Sequence, residues 1–156
     1  NAAAEEGHLE ILQWLHSKGI SRCTDHGVDG AAKNGHLGVL KWLHKTLKGG
    51  CRTAKLYLPI QNGHLEILKW LHQHFTYLFS EIAMDVAAET GRLDVLIWLH
   101  ENRTEGCSHM APWHAAEIGH LEMVKWLHEH YSDKFTARAL DVAAANGHLD
   151  VVQWLH

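Results

Sequence analysis

The sequence predicts an all-α fold, an α-solenoid of stacked helix–turn–helix repeats, and three observations carry that expectation. The ten-residue phrase Gly119-His120-Leu121-Glu122-Met123-Val124-Lys125-Trp126-Leu127-His128 returns in closely similar form from Gly7, Gly35, Gly63, Gly91 and Gly147, every step being 28 residues without insertion or deletion. A fixed period of this length marks units that cannot bury an apolar face alone and therefore cover one another. Each phrase has a helical pattern of apolar residues, and each is preceded by a second, alanine-rich helical segment such as Glu81 to Thr90.

Within a unit the first element is the outer helix. Thr24, Ser80, Ser108 and Thr136 stand in one phase before it, where a hydroxyl can accept from the free N–H groups of a first turn. Its paired alanines, Ala31-Ala32, Ala87-Ala88, Ala115-Ala116 and Ala143-Ala144, are small enough for close helix approach, with Val28, Leu56, Met84 and Leu140 filling the space beside them. Asn34-Gly35, Asn62-Gly63 and Asn146-Gly147 end it, since glycine suits the left-handed residue that stops a helix.

The inner helix follows at once. Its one polar stripe reads Glu66, Lys69, Gln73 in one unit and Glu122, Lys125, Glu129 in another, with acid three residues ahead of base in both; such pairs contribute a few tenths of a kcal/mol. The rest of its circumference is apolar or histidine, as expected of a helix covered on both flanks. Some units break the pattern. Gly30 and Gly38 weaken helices, Gly49-Gly50 loosens a linker, and Pro59 replaces the first paired alanine. A helix-interior proline costs about 3 kcal/mol, so the 53–62 helix is expected to be broken or shortened.

One repeat domain is expected over 1–156: a partial repeat at 1–16, then repeats at 17–44, 45–72, 73–100, 101–128 and 129–156. The chain starts partway through a unit and stops inside a helix, as a segment of a longer array would. Net charge is −4 with scattered basic residues, which lacks the footprint of a nucleic-acid binder. No apolar run approaches the ~20 residues of a membrane span.

The phrases Ala143-Ala144-Ala145-Asn146-Gly147-His148-Leu149-Asp150-Val151-Val152 and Glu122-Met123-Val124-Lys125-Trp126-Leu127 resemble ankyrin repeats, and the resemblance runs along the whole chain. The helix–turn–helix portion matches. The Thr-Pro-Leu-His signature does not: its slots hold Ile82-Ala83-Met84-Asp85, Met110-Ala111-Pro112-Trp113 and Arg138-Ala139-Leu140-Asp141. The period is about five residues short of the usual ankyrin length, all lost from the loop between units, so the projecting β-hairpin fingers are expected to be reduced or absent.

The resemblance implies a protein-interaction scaffold whose outer helices line a concave side. On those helices two slots vary while sharing one face: Asp29, Tyr57, Asp85, Trp113 and Asp141 in the first, and Lys33, Gln61, Glu89, Glu117 and Ala145 one turn on. Asp29, Lys33, Tyr57, Gln61, Asp85, Glu89, Trp113, Glu117 and Asp141 are thus the candidate partner-binding residues. Tyr57 and Trp113 are the expected anchors, and the surrounding acids favour a partner with a basic surface. The array is expected to be monomeric and intracellular, with end-to-end association open to an isolated segment. The alternatives are a structural spacer without a ligand and a histidine-rich module responsive to metal or pH.

Three residue types invite a chemical reading. The 16 histidines recur at the end of each inner helix, but stacked equivalents stand ~10 Å apart, too far to share an ion. They are expected to bond turn or linker backbone, to complement helix C-terminal dipoles, and to oppose acidification where buried. Trp14, Trp42, Trp70, Trp98, Trp126 and Trp154 share one phase and are assigned to the core between units. Cys23, Cys51 and Cys107 share a slot with Phe79 and Phe135, which makes it an apolar slot of reduced, unpaired thiols. No nucleophile motif or phosphate loop occurs, so no catalytic residue, cofactor or metal is assigned.

Overall fold

The computed structural model describes residues 1–20, 24–46 and 55–156. Among these residues the chain is helical with no strand, and the helices alternate between outer and inner elements. The outer ones are α1 (Ala2–Glu5), α3 (Asp25–Lys33), α5 (Tyr57–Gln61), α7 (Ile82–Glu89), α9 (Met110–Glu117) and α11 (Ala137–Ala145). The inner ones are α2 (Leu9–Ser17), α4 (Leu37–Thr46), α6 (Leu65–His74), α8 (Leu93–Asn102), α10 (Leu121–Tyr131) and α12 (Leu149–Leu155). The chain divides into two compact units, residues 1–78 and 79–156. In the first, α3 packs between α1 and α5; in the second, α9 packs between α7 and α11.

One turn is repeated at every unit. Gly35, Gly91 and Gly119 take φ of 82°, 69° and 69°. The N–H after each reaches back to the first paired alanine, as in His36 N to Ala31 O at 2.9 Å and His120 N to Ala115 O at 3.0 Å. Glycine N–H groups bond the following alanine, Gly119 N to Ala116 O at 3.2 Å, which is the double hydrogen bond that closes a helix on a left-handed residue. The expected turn is therefore present, and its glycine has a second reason to lack a side chain. A Cβ on Gly35 would lie 2.9 Å from the ring of His64, and one on Gly119 would collide with the ring of His148.

The core is a ladder of aliphatic side chains from the inner helices against alanines from the outer ones. Leu43, Leu71, Leu99 and Leu127 share one slot and are at most 1% exposed. Ala31, Ala87, Ala115 and Ala143 face them with no exposed area. The tryptophans are not core in the same sense, which corrects their assignment: Trp70 is buried, Trp42, Trp98 and Trp126 are half-buried, and Trp14 and Trp154 are exposed. An indole is large, so a slot near the helix end encloses it only where neighbouring rings cover it, as His44, His74 and Phe75 cover Trp70. The end-of-helix histidines meet that edge: His16 with Trp42, His100 with Trp126 and His128 with Trp154 pack edge-on at 5.6, 5.1 and 5.1 Å.

Both prolines are the third residue of their helix, Pro59 in α5 and Pro112 in α9. In a first turn the missing N–H has no partner to lose. To put Pro59 there, α5 starts at Tyr57 and has five residues where α9 has eight. The expected shortening of the 53–62 helix is thus found from residue 55 onward, while its first two residues lie outside the described set. The same is true of the Gly49-Gly50 linker and of Cys23 and Cys51. Gly30, read from sequence as a weakness, is a requirement: a Cβ there would lie 2.8 Å from Glu5 Cβ and 3.2 Å from Glu5 Cα, so its absence lets α1 approach α3. Gly38 has no such reason, its nearest atom being Leu9 Cδ2 at 4.0 Å.

The expected ion pairs form, Lys69 with Glu66 at 2.7 Å and Lys125 with Glu122 at 3.2 Å. Of the expected hydroxyl caps, Ser108 accepts from Met110 N–H at 3.0 Å. Thr24 and Thr136 make no such cap bond. At position 80 the helix begins later, with Glu81 as its flanking residue.

Candidate functional site

None of the nine residues singled out on the outer helices is buried, but they do not have one role. In the first unit Asp29 is held inward: its carboxylate accepts from Lys55 N–H at 3.2 Å and pairs with Lys55 Nζ at 3.1 Å. The Asp29 hydrogen bond and charge raise the Lys55 pKa above its ordinary value. In the second unit Asp85 accepts from both Ser108 N–H at 3.0 Å and Ser108 Oγ at 2.6 Å, so it anchors the start of α9. Asn1, in the same slot, accepts from Thr24 N–H at 3.1 Å and donates to Thr24 Oγ1 at 2.8 Å. At Asn1, Asp29 and Asp85 the slot therefore brackets the start of the next outer helix. An Asn or Asp followed 23 residues later by Ser or Thr is the pattern in sequence that marks it, at 1/24 and 85/108.

Tyr57 and Trp113 form no such bracket among the described residues, and each keeps part of its surface open to solvent. Tyr57 is 42% exposed, and Trp113 is half-buried with its ring edge-on to His114 at 5.0 Å. Lys33, Glu89 and Asp141 are exposed, and Gln61 and Glu117 are half-buried. Glu117 Oε2 lies 3.3 Å from His114 Nδ1. In the first unit Asp29, Gly30, Lys33 and Tyr57 line a cleft of ≈350 Å³, together with Glu5, Lys55 and other residues that periodicity did not single out. Ile82, 62% exposed on α7, also escaped the two-slot pattern; its only signal is an apolar residue on an outer helix outside the packed slots.

His64, His74, His130 and His148 bond backbone carbonyls, two of them across a junction, whereas of the end-of-helix set His100 meets the Tyr131 hydroxyl and His44 Nδ1 has no hydrogen-bond partner among the described residues. His64 Nε2 donates to Lys33 O at 2.8 Å and His148 Nε2 to Glu117 O at 2.9 Å, each reaching the unit before its own. His74 and His130 donate from Nδ1 to Trp70 O and Trp126 O at 2.9 and 2.8 Å, capping helix C-termini. No polar or charged residue is fully buried among the described residues, so the expectation of wholly buried neutral histidines is corrected. Among the same residues no three histidine, cysteine, aspartate or glutamate side chains are grouped to hold a metal ion. No helix among them is long and apolar enough to cross a membrane. Cys107 is 3% exposed and burial pushes its thiol up to about 12.

A helix–turn–helix unit of this form, closed by a left-handed glycine and repeated with a histidine over that glycine, agrees with two sequence-family matches. Ankyrin repeats in three copies match residues 84–156, and ankyrin repeats in many copies match residues 2–44. The chain belongs to the ankyrin-repeat family. Comparison with curated proteins gives no match. Ankyrin repeats are in general protein–protein interaction modules. The two units of the array differ in charge: residues 1–78 carry nine Lys and Arg against six Asp and Glu, and residues 79–156 carry five against twelve.

Proposed function

We propose that this ankyrin array is a scaffold that captures a protein partner on the outer-helix faces of its units, and that it acts by binding and not by catalysis. In the first unit the face comprises Asp29, Lys33, Tyr57 and Gln61; in the second, Asp85, Glu89, Trp113, Glu117 and Asp141. Tyr57 and Trp113 are the anchors, because a half-exposed aromatic ring gives up its remaining apolar surface on contact. The observation that carries the reading is their position. Both stand in the slot that elsewhere brackets the next helix, and both leave that role unfilled to face solvent. Asp29 and Asp85 support the face by fixing the helices that present it.

The test is capture of partners from native cell extract by the chain and by a variant carrying Tyr57→Ala and Trp113→Ala, with helical circular dichroism matched beforehand. A defined partner retained by the first and lost by the second supports the reading. Equal retention by both removes the outer faces as the binding surface and puts a spacer role ahead.

A further inference from the structure

The outer faces differ most in charge, and that difference points to what the second unit takes. We infer that the face formed by α7, α9 and α11 docks a basic peptide segment, with an arginine or lysine side chain lying over the Trp113 ring between Asp141 and Glu117. This rests on the reading of the outer faces as partner sites.

The placement follows from the repeat. With α9 packed between α7 and α11, equivalent slots line up across the three helices: Asp85, Trp113 and Asp141 form one row, and Glu89, Glu117 and Ala145 form the next, one turn along. Trp113 is at the centre. Carboxylates alone would make a solvated surface, but the indole among them adds an apolar, polarisable platform whose face attracts a cation. Asp85 is committed to Ser108. Asp141 and Glu89 are exposed and in no ion pair among the described residues. Glu117 shares its carboxylate with His114 at 3.3 Å, a contact that a guanidinium or ammonium can replace.

Arg138 sits on α11 at the other end of the face, in the row of Ile82 and Met110. It repels a second cation there, so the basic side chain belongs towards the Glu89 and Glu117 end. The unit as a whole carries twelve acidic against five basic residues, a field that draws in basic segments and turns acidic ones away. The first unit has the opposite excess, and its most exposed aromatic on this face, Tyr57, is beside Lys33 and Lys55 in the cleft. It does not take the same segment.

The test is selection of random displayed peptides against the full 156-residue chain, followed by anisotropy titration of the synthesised survivors. They are titrated against the wild type, Trp113→Ala, the doubly charge-reversed Glu89→Lys and Asp141→Lys, and Tyr57→Ala. The charge reversal touches only exposed side chains, so it reads the face even if Trp113→Ala loses structure. The expected result is a set of survivors enriched in arginine and lysine. Their affinity should fall at least roughly tenfold with either second-unit change, fall distinctly less with Tyr57→Ala, and weaken as salt is raised. Survivors that depend on Trp113 but carry no such enrichment overturn the basic-peptide inference and leave the outer-face reading standing. Survivors indifferent to all three variants, or an empty selection against folded protein, count against both.

Discussion

His44 and His100 occupy the same position in the two halves of the array and meet nearly the same rings. Trp70 and His74 lie 5.5 and 5.4 Å from His44; Trp126 and His130 lie 5.1 and 4.8 Å from His100. The third neighbour differs by one oxygen. Tyr131 brings a hydroxyl within 2.8 Å of His100 Nδ1, whereas Phe75, 5.2 Å from His44, brings none, and His44 Nδ1 is enclosed without a hydrogen-bond partner among the described residues. The repeat thus dictates where the rings go, while a single substitution decides whether a buried nitrogen is satisfied. Stability in such an array is close to a sum over units and junctions, so differences of this kind can be read one junction at a time.

The largest test of that comparison removes what the halves share. Leu43→Ala in the first and Leu99→Ala in the second should each cost ~2–5 kcal/mol, since both leave a cavity in the same slot. Urea unfolding with closely matching losses supports equivalent cores. A large disparity would mean that the two ladders are packed differently. Next in size is the glycine turn. Gly119→Ala meets both a positive φ and the His148 ring, while Gly147→Ala, at φ 79°, meets nothing within 4 Å. The second should cost ~1–2 kcal/mol for the left-handed backbone alone and the first distinctly more; equal costs would remove the ring from the account.

A pH effect separates the halves differently. The Cys107 thiol is raised from 9.0 to about 12 by burial, so the unfolded chain ionises first as pH rises. The contribution is present in full below pH 9 and is lost progressively between about 9 and 12. At pH 10 the expected loss is roughly 1 kcal/mol. Cys107→Ala should flatten that alkaline decline, and an unchanged decline assigns it to other groups. The comparison of the two histidines is sharpened by exchanging their partners: Tyr131→Phe should cost ~1–2 kcal/mol, and Phe75→Tyr should return up to about 1 kcal/mol. No gain from Phe75→Tyr, measured by denaturation, makes the His44 nitrogen irrelevant to stability. The smallest expected change is a gain: Gly38→Ala has open space and should stabilise α4 by ~0.5–1 kcal/mol. Gly30→Ala, made as its counterpart, should destabilise instead because it drives into Glu5.

Much of this was legible without coordinates. The period located the left-handed glycines that close the outer helices, though not Gly19 and Gly106, together with the paired alanines and the leucine ladder, because those roles depend on local backbone and on side-chain volume, both of which recur at each step. The acid–base pairs on α6 and α10 were legible for the same reason. The residues that act across a junction were harder. Asp29 and Asp85 read as partner contacts, and their ties to Lys55 and Ser108 were not legible; Gly30 read as a defect and is a point of close approach. The tryptophans read as core because they are large and periodic, yet of the six only Trp70 is buried, since enclosure depends on the neighbour and not on the side chain. By itself, then, the sequence determined the repeat, its turns and its apolar ladder, all set within one unit by periodicity and volume. Tertiary structure decided which acids are bracketed, which rings stay open to solvent and which nitrogen lacks a partner, because each of those depends on an atom supplied from elsewhere in the fold.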